Sequence, residues 1–321
     1  MTLKKVFATL IIFFLVFHFD INAQIVIKED TTVNGWKTGG FFAFNVNQVA
    51  LINWAAGGES ALSSTFIFNA FAKYRKNNTY FESILDAGFG FITTKSQSLR
   101  KNEDKLELNI NAGKKAKGKF YYAGMLNFRT QFAPGYDFPN DTVIISRLLA
   151  PGFLSLAVGF NYKPNDWFSA FISPATGRAT FVFDQNLANA GQFGVDKADY
   201  DANGNLVTKG KNVRWELGAY VRARLQKDIA KNISVVSNLQ LFNNYTDPIK
   251  KQRGNIDVNW ENLILIKANK WLTTSIFTNL IYDNDVAVPI RATVNGVEQI
   301  VGKGPRTQFK EALGIGLSFK F

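Results

Sequence analysis

Apolar and polar residues alternate with a period of two along most of this chain, and clusters of Gly, Asn, Asp and Lys interrupt the alternation. That is the pattern of β-strands with two unlike faces. The segment 213–225 is the clearest: Val213, Trp215, Leu217, Ala219, Val221, Ala223 and Leu225 fall on one side. Arg214, Glu216, Gly218, Tyr220, Arg222 and Arg224 fall on the other. In 120–132, Phe120, Tyr122, Leu126 and Phe128 oppose Asn127 and Arg129; in 256–266, Val258, Trp260 and Ile264 oppose Asp257, Asn259 and Glu261. The spacing predicts about twelve strands, near 37–53, 60–75, 79–94, 105–113, 119–132, 148–163, 166–183, 213–226, 232–243, 255–267, 271–283 and 308–321. Several reach the roughly 9–11 residues that a tilted strand needs to cross a bilayer. A soluble sandwich has no reason to set Arg214, Arg222 and Arg224 opposite an unbroken apolar face, whereas a barrel with lipid outside and a wet lumen inside does.

The connections alternate in length. Those after even-numbered strands are short (75–79, 113–119, 163–166, 227–232, 267–270), and those after odd-numbered ones are mostly long (95–104, 133–147, 184–212, 243–254, 283–307). Outer-membrane barrels have short periplasmic turns, long outer loops and an even strand number. The expectation is therefore an all-β fold: a transmembrane antiparallel up-and-down β-barrel of about 12 strands with both termini in the periplasm. The final strand places Leu313, Ile315, Leu317, Phe319 and Phe321 on one face and stops at an aromatic residue. Ile315, Leu317, Phe319 and Phe321 resemble the signal that barrel-assembly machinery reads during insertion.

The N-terminus reads as an address. Lys4 and Lys5 precede an apolar run from Val6 to Phe17, and Ile21-Asn22-Ala23 ends on a small residue. This predicts a secretory signal peptide cleaved after Ala23, because the run is too short for a membrane-spanning helix. The domains expected are a signal peptide (1–23), a short periplasmic segment (24–36) and the barrel (37–321).

Composition then narrows the chemistry. The chain of 321 residues has no Cys, and its single His, His18, lies inside the expected signal peptide. The processed protein would lack a thiolate, an imidazole base and Cys- or His-ligated metal. Outer-membrane hydrolases that rely on His are thereby disfavoured, and the expectation is no catalytic residue, no cofactor and no metal. A carboxylate-rich loop (Asp196, Asp199, Asp201) offers the elements of a calcium site, although loop acids are ordinarily just solvated.

The formal net charge is +12. In a cytosolic chain this would suggest nucleic acid, but export removes that partner. The excess concentrates in the short turns and their flanks: Lys114, Lys115, Lys117, Lys119, Lys227, Lys231, Lys267 and Lys270. These are either solvated turn lysines that also block edge pairing, or a rim attracted to anionic lipid or an acidic envelope partner. The inward faces carry Glu82, Asp86, Glu107, Arg129, Arg214, Glu216, Arg222, Arg224, Asp257 and Glu261. That near balance of sign suggests cross-lumen pairing that fills or narrows the barrel, with a selective solute path as the alternative.

Several stretches resemble a Bacteroidota family of outer-membrane barrels, domain of unknown function 3078. They are Trp36-Lys37-Thr38-Gly39-Gly40, Asn53-Trp54-Ala55-Ala56-Gly57-Gly58-Glu59, Ile172-Ser173-Pro174-Ala175-Thr176-Gly177-Arg178, Val258-Asn259-Trp260-Glu261, Gln308-Phe309-Lys310-Glu311 and Leu313-Gly314-Ile315-Gly316. The resemblance implies a barrel in the outer membrane; the family brings no established activity, so no catalytic residue is carried over. Within these stretches, Pro174 and Gly177 predict a bend or bulge, with Arg178 as a candidate anion ligand. Gly57-Gly58-Glu59 reads as a tight loop, since the Lys-Ser/Thr of a phosphate cradle is missing. Three functions remain: a barrel that passes or binds a small solute, a structural barrel with a filled lumen, and, least favoured, an enzyme.

Overall fold

A computed structural model describes residues 34–320 except 50–59, 98, 138–139, 166, 270, 287 and 295–296. The expected signal peptide with Ala23, the Gly57–Glu59 loop, Lys270 and Phe321 lie outside the described residues.

The chain forms a closed antiparallel barrel of twelve strands. These are β1 (Gly35–Val49), β2 (Ala61–Lys76), β3 (Thr79–Thr94), β4 (Arg100–Lys115), β5 (Phe120–Thr130) and β6 (Gly152–Asn165). There follow β7 (Phe168–Phe181), β8 (Val213–Ala230), β9 (Ile233–Asn244), β10 (Asp257–Lys267), β11 (Leu272–Tyr282) and β12 (Gln308–Lys320). Each strand pairs with its neighbours in sequence, and β12 closes on β1 through pairs such as Phe44 with Leu317. Closure leaves no barrel edge, which is what a sheet in hydrocarbon requires.

The turns obey local backbone chemistry. Between β2 and β3 the chain reverses over Asn77-Asn78, with Asn77 at φ 53°, a left-handed conformation that Asn tolerates. Gly118, at φ 59°, serves the next short turn. The long connections carry structure of their own. The loop after β7 holds a short helix, α1 (Gln185–Asn189), capped by the Asp184 side chain on the amides of Asn186 and Leu187. Leu187, Ala188 and Val195 pack there with Ala150 and Val182. Asp196 pairs with Lys211 at 2.7 Å and raises its pKa. Hydrogen bonds from the Asn205 side chain and backbone hold the Asp201 carboxyl below its ordinary value. Among the described residues no three potential metal ligands of the His, Cys, Asp and Glu type come together.

One wall face is apolar and exposed. Val158 is 66% exposed and Leu313 62%, with Leu156, Phe160, Ile172 and Ile315 beside them in the same outward register. Aromatics concentrate toward the strand ends. Near the short turns stand Trp36 against Tyr74, Phe120 against Tyr162, and Trp167 and Trp271; near the long loops stand Trp215, Trp260 and Phe309. An apolar band between aromatic girdles is the construction of a membrane-spanning barrel.

Strand β7 departs from strict alternation. Its register with β6 and with β8 shifts near Pro174, so Ser173 and Thr176 are both buried within hydrogen-bonding distance of each other. The Ser173 hydroxyl lies within donating distance of two carbonyls, that of Val158 at 2.8 Å and that of Ala175 at 2.9 Å. Gly159 permits the close approach, because a Cβ there would meet the Ile172 carbonyl. The Pro174–Gly177 stretch is thus a bulge within a continuous strand.

Candidate functional site

Inward positions follow from the pairing. Asn69 of β2 stands opposite Asp86 of β3, which stands opposite Glu107 of β4 and then Arg129 of β5. On the far wall, Arg178 pairs with Glu216, Arg222 with Gln240, Arg224 with Asn238, and Asn238 with Glu261. Glu82 lies on the Lys73 register and Asp257 on that of Phe242. These side chains meet in three groups along the barrel.

Toward the short turns, Glu82 takes a 2.9 Å bond from Lys163 and lies 3.9 Å from Arg75. The Lys163 ammonium also sits 4.3 Å from the Tyr80 ring centre. The Tyr80 hydroxyl donates to Asn111 and accepts from Asn161 at 2.9 Å. Lys163 and Asn161 stand on β6, which does not neighbour β3, so their contacts cross the lumen, whereas Arg75 and Asn111 come from the strands flanking β3.

In the middle, Glu107 is 6% exposed and accepts from Lys105 (2.7 Å), Asn109 (3.2 Å) and Asn127 (2.7 Å). Lys105 reaches in addition to Glu261 at 3.7 Å. Strands β4 and β10 stand opposite each other in the ring, so this contact spans the barrel. Arg222 bonds Asn238 beside it and Asn109 across from it. An apolar cluster of Ala123, Met125, Ala157, Phe171, Tyr220 and Phe242 fills the adjoining inner wall.

Toward the long loops, Glu216 is 5% exposed and holds Arg178 at 3.0 Å, Arg214 at 2.8 Å and Asn244 at 2.9 Å. Arg178 continues to Asp257 at 3.3 Å and lies 4.2 Å from the Phe242 ring centre. Arg214 pairs with Asp285 in the loop after β11. Arg178 is thereby committed to two carboxylates, which corrects its reading as an anion ligand in a turn.

Two further expectations gain detail. The near balance of inward charge rested on an incomplete set: Lys73, Arg75, Lys105, Lys163, Arg178 and Lys310 also face inward, against Glu103 and Asp228. Taken together, the named inward groups carry only a small basic excess. The basic residues of the short turns and their flanks divide between strand ends and the turns themselves. Lys267 ends β10 on the inward register opposite Thr273, and Lys227 lies on β8 with its ammonium 4.8 Å from the Trp167 ring centre. Lys114 and Lys115 end β4; Lys117, Lys119 and Lys231 occupy the turns themselves, and all five are exposed. In the final strand Ile315 lies on the outward face, as does Leu317 opposite Phe44 and Leu272, while the backbone of Phe319 pairs with Phe42.

Residues 46–136 match the family model described as "Protein of unknown function (DUF3078)". That span holds the Asn53–Glu59 stretch quoted above; Trp36–Gly40 and the stretches from Ile172 onward fall outside it. No curated protein matches the chain. Among solved structures it is similar to an outer membrane channel from Pseudomonas putida F1, at 11% identity and TM-score 0.39, covering 95% of this chain and 100% of that one. It is also similar to the translocator domain of the autotransporter NalP from Neisseria meningitidis, at 9% identity and TM-score 0.36, covering 91% and 90%. The NanC porin gives 9% identity and TM-score 0.37, covering 88% and 100%. Likeness at this level ranks no function above another.

Proposed function

We propose that this protein is a non-enzymatic barrel of a Gram-negative outer membrane that admits small solutes into a constricted lumen. The apolar band, the aromatic girdles and the short-turn, long-loop polarity support that membrane, with the short turns in the periplasm. The observation that carries the constriction is the Lys105–Glu261 contact between opposite walls at 3.7 Å. A wide diffusion pore has no such contact, because its lumen is filled by water. In the same reading the exposed lysines Lys114, Lys117, Lys119 and Lys231 face anionic inner-leaflet headgroups, and the final strand is read by the assembly machinery. A second reading, a structural barrel with a filled lumen, draws on the packed inner cluster of Met125, Phe171, Tyr220 and Phe242.

Single-channel recording in a planar bilayer separates the two. The first reading expects small, discrete conductance from the wild type and a larger step from the Lys105→Gln, Glu261→Gln variant, whose walls are no longer tied. Silence from both proteins, with folding verified by heat-dependent gel mobility, would establish the filled barrel.

A further inference from the structure

Two inward arginines stand outside the lattice of ion pairs. Arg222 donates Nε to Asn238 Oδ1 (2.9 Å) and Nη1 to Asn109 Oδ1 (3.1 Å), both neutral amide oxygens. Arg129 stands opposite Glu107 in the β4–β5 ladder and its charge acts on that carboxylate, yet among the described residues its side chain makes no hydrogen bond or close ion pair. The Glu107 carboxylate is already taken by Lys105, Asn109 and Asn127. Each guanidinium carries more donors than these contacts use.

The two converge on the same short stretch of β4. Arg129 lies against Glu107, and Arg222 is bonded to Asn109 two residues on. They reach it from β5 and β8, strands that do not touch, so the space between them is lumen rather than wall. At the long-loop end the cations are matched: Arg178 and Arg214 share Glu216, Asp257 and Asp285. In the middle, Lys105 alone is matched, to Glu107 and Glu261. Glu107 and Glu261 contact Lys105, and Asp86 accepts from Asn69, so neither arginine holds a carboxylate in a direct ion pair.

We infer that Arg129 and Arg222 form a binding site for the carboxylate or phosphate group of a small anionic solute. A guanidinium matches the planar or trigonal oxygen pairs of these groups with paired donors, and a narrow lumen of low dielectric strengthens the attraction. Cations are disfavoured beside two guanidiniums that no carboxylate pairs directly, as in anion-selective pores lined by Arg or Lys. The site rests on the reading of this lumen as one that admits solutes, and it names the class admitted.

The test uses the full barrel folded in detergent at low ionic strength. Wild type, Arg129→Gln and Arg222→Gln are titrated calorimetrically with succinate and, separately, with inorganic phosphate. A rim variant, Lys114→Gln with Lys117→Gln, serves as control. The expected result is saturable binding of at least one anion, weakened roughly tenfold by either arginine change, reduced by added salt and unaltered in the rim variant. The stronger of the two titrations tells carboxylate from phosphate. No binding by the wild type, or equal binding by the arginine variants, overturns the inference. So does equal loss in the rim variant, which would mean diffuse attraction to basic surface. Reversal potentials across a salt gradient keep this apart from the passage reading. Anion binding without conductance upholds the site and defeats passage; conductance without anion preference or binding does the reverse.

Discussion

The two ends of the barrel handle charge in opposite ways. At the long-loop end, buried Glu216 gathers Arg178, Arg214 and Asn244, and Asp257 and Asp285 complete a connected lattice. At the short-turn end, Lys114, Lys117, Lys119 and Lys231 are exposed to solvent, while a smaller inward group gathers on Glu82 and Tyr80. The difference teaches where charge is structural. A carboxylate removed from water needs every partner it has, and its partners then depend on it. A lysine at an exposed turn needs nothing and contributes little to stability, so its value lies in long-range attraction.

The sharpest way to break this contrast is Glu216→Ala. Two partly buried guanidiniums lose their shared carboxylate, and the barrel should be destabilised by about 3 kcal/mol, read as a lower urea midpoint for unfolding from lipid vesicles. A midpoint unchanged from wild type would show that water already satisfies both arginines. At the other end, Tyr80→Phe deprives Asn161 and Asn111 of their shared partner and should cost roughly 1–2 kcal/mol in the same assay. A loss as large as that of Glu216→Ala would erase the distinction between the inward groups. Smallest in stability is the replacement of Lys114, Lys117 and Lys119 by Gln, expected to stay within ~0.5 kcal/mol. Its effect should appear instead in co-sedimentation with anionic vesicles, weakened at low ionic strength and converging with wild type as salt rises. Coincident curves at every salt concentration would leave these lysines as solvated turns.

Most of the wall is legible in the sequence because a barrel strand writes its environment at every second residue. The alternation in 213–225 survives in β8 without a slip, and twelve expected strands correspond to the twelve in the ring. What alternation cannot report is which inward groups meet. Lys105 and Glu261 are far apart in the chain and on opposite walls, so no local pattern couples them. Arg178 was hidden for a different reason. The bulge at Pro174 inserts residues that break the period, so the parity of everything beyond it in β7 must be counted afresh. Lys163 closes a predicted strand beside a short turn, and proximity to that turn obscured its inward register, which the pairing of Tyr121 with Asn161 makes plain. Lys105 was within reach: it shares the parity of Glu107 two residues away.

The contact between β4 and β10 has a mechanical meaning as well. A ring of hydrogen-bonded strands is stiff around its circumference and compliant to ovalisation, since flattening it bends the sheet without breaking a ladder. Lys105 and Glu261 act on that soft mode as a spoke acts on a wheel rim, with Arg222 and Asn109 as a shorter chord beside it. Lateral pressure applied by the bilayer to one wall is then transmitted directly to the wall facing it. The cross-section of this barrel is thus set from within as well as by its hoop.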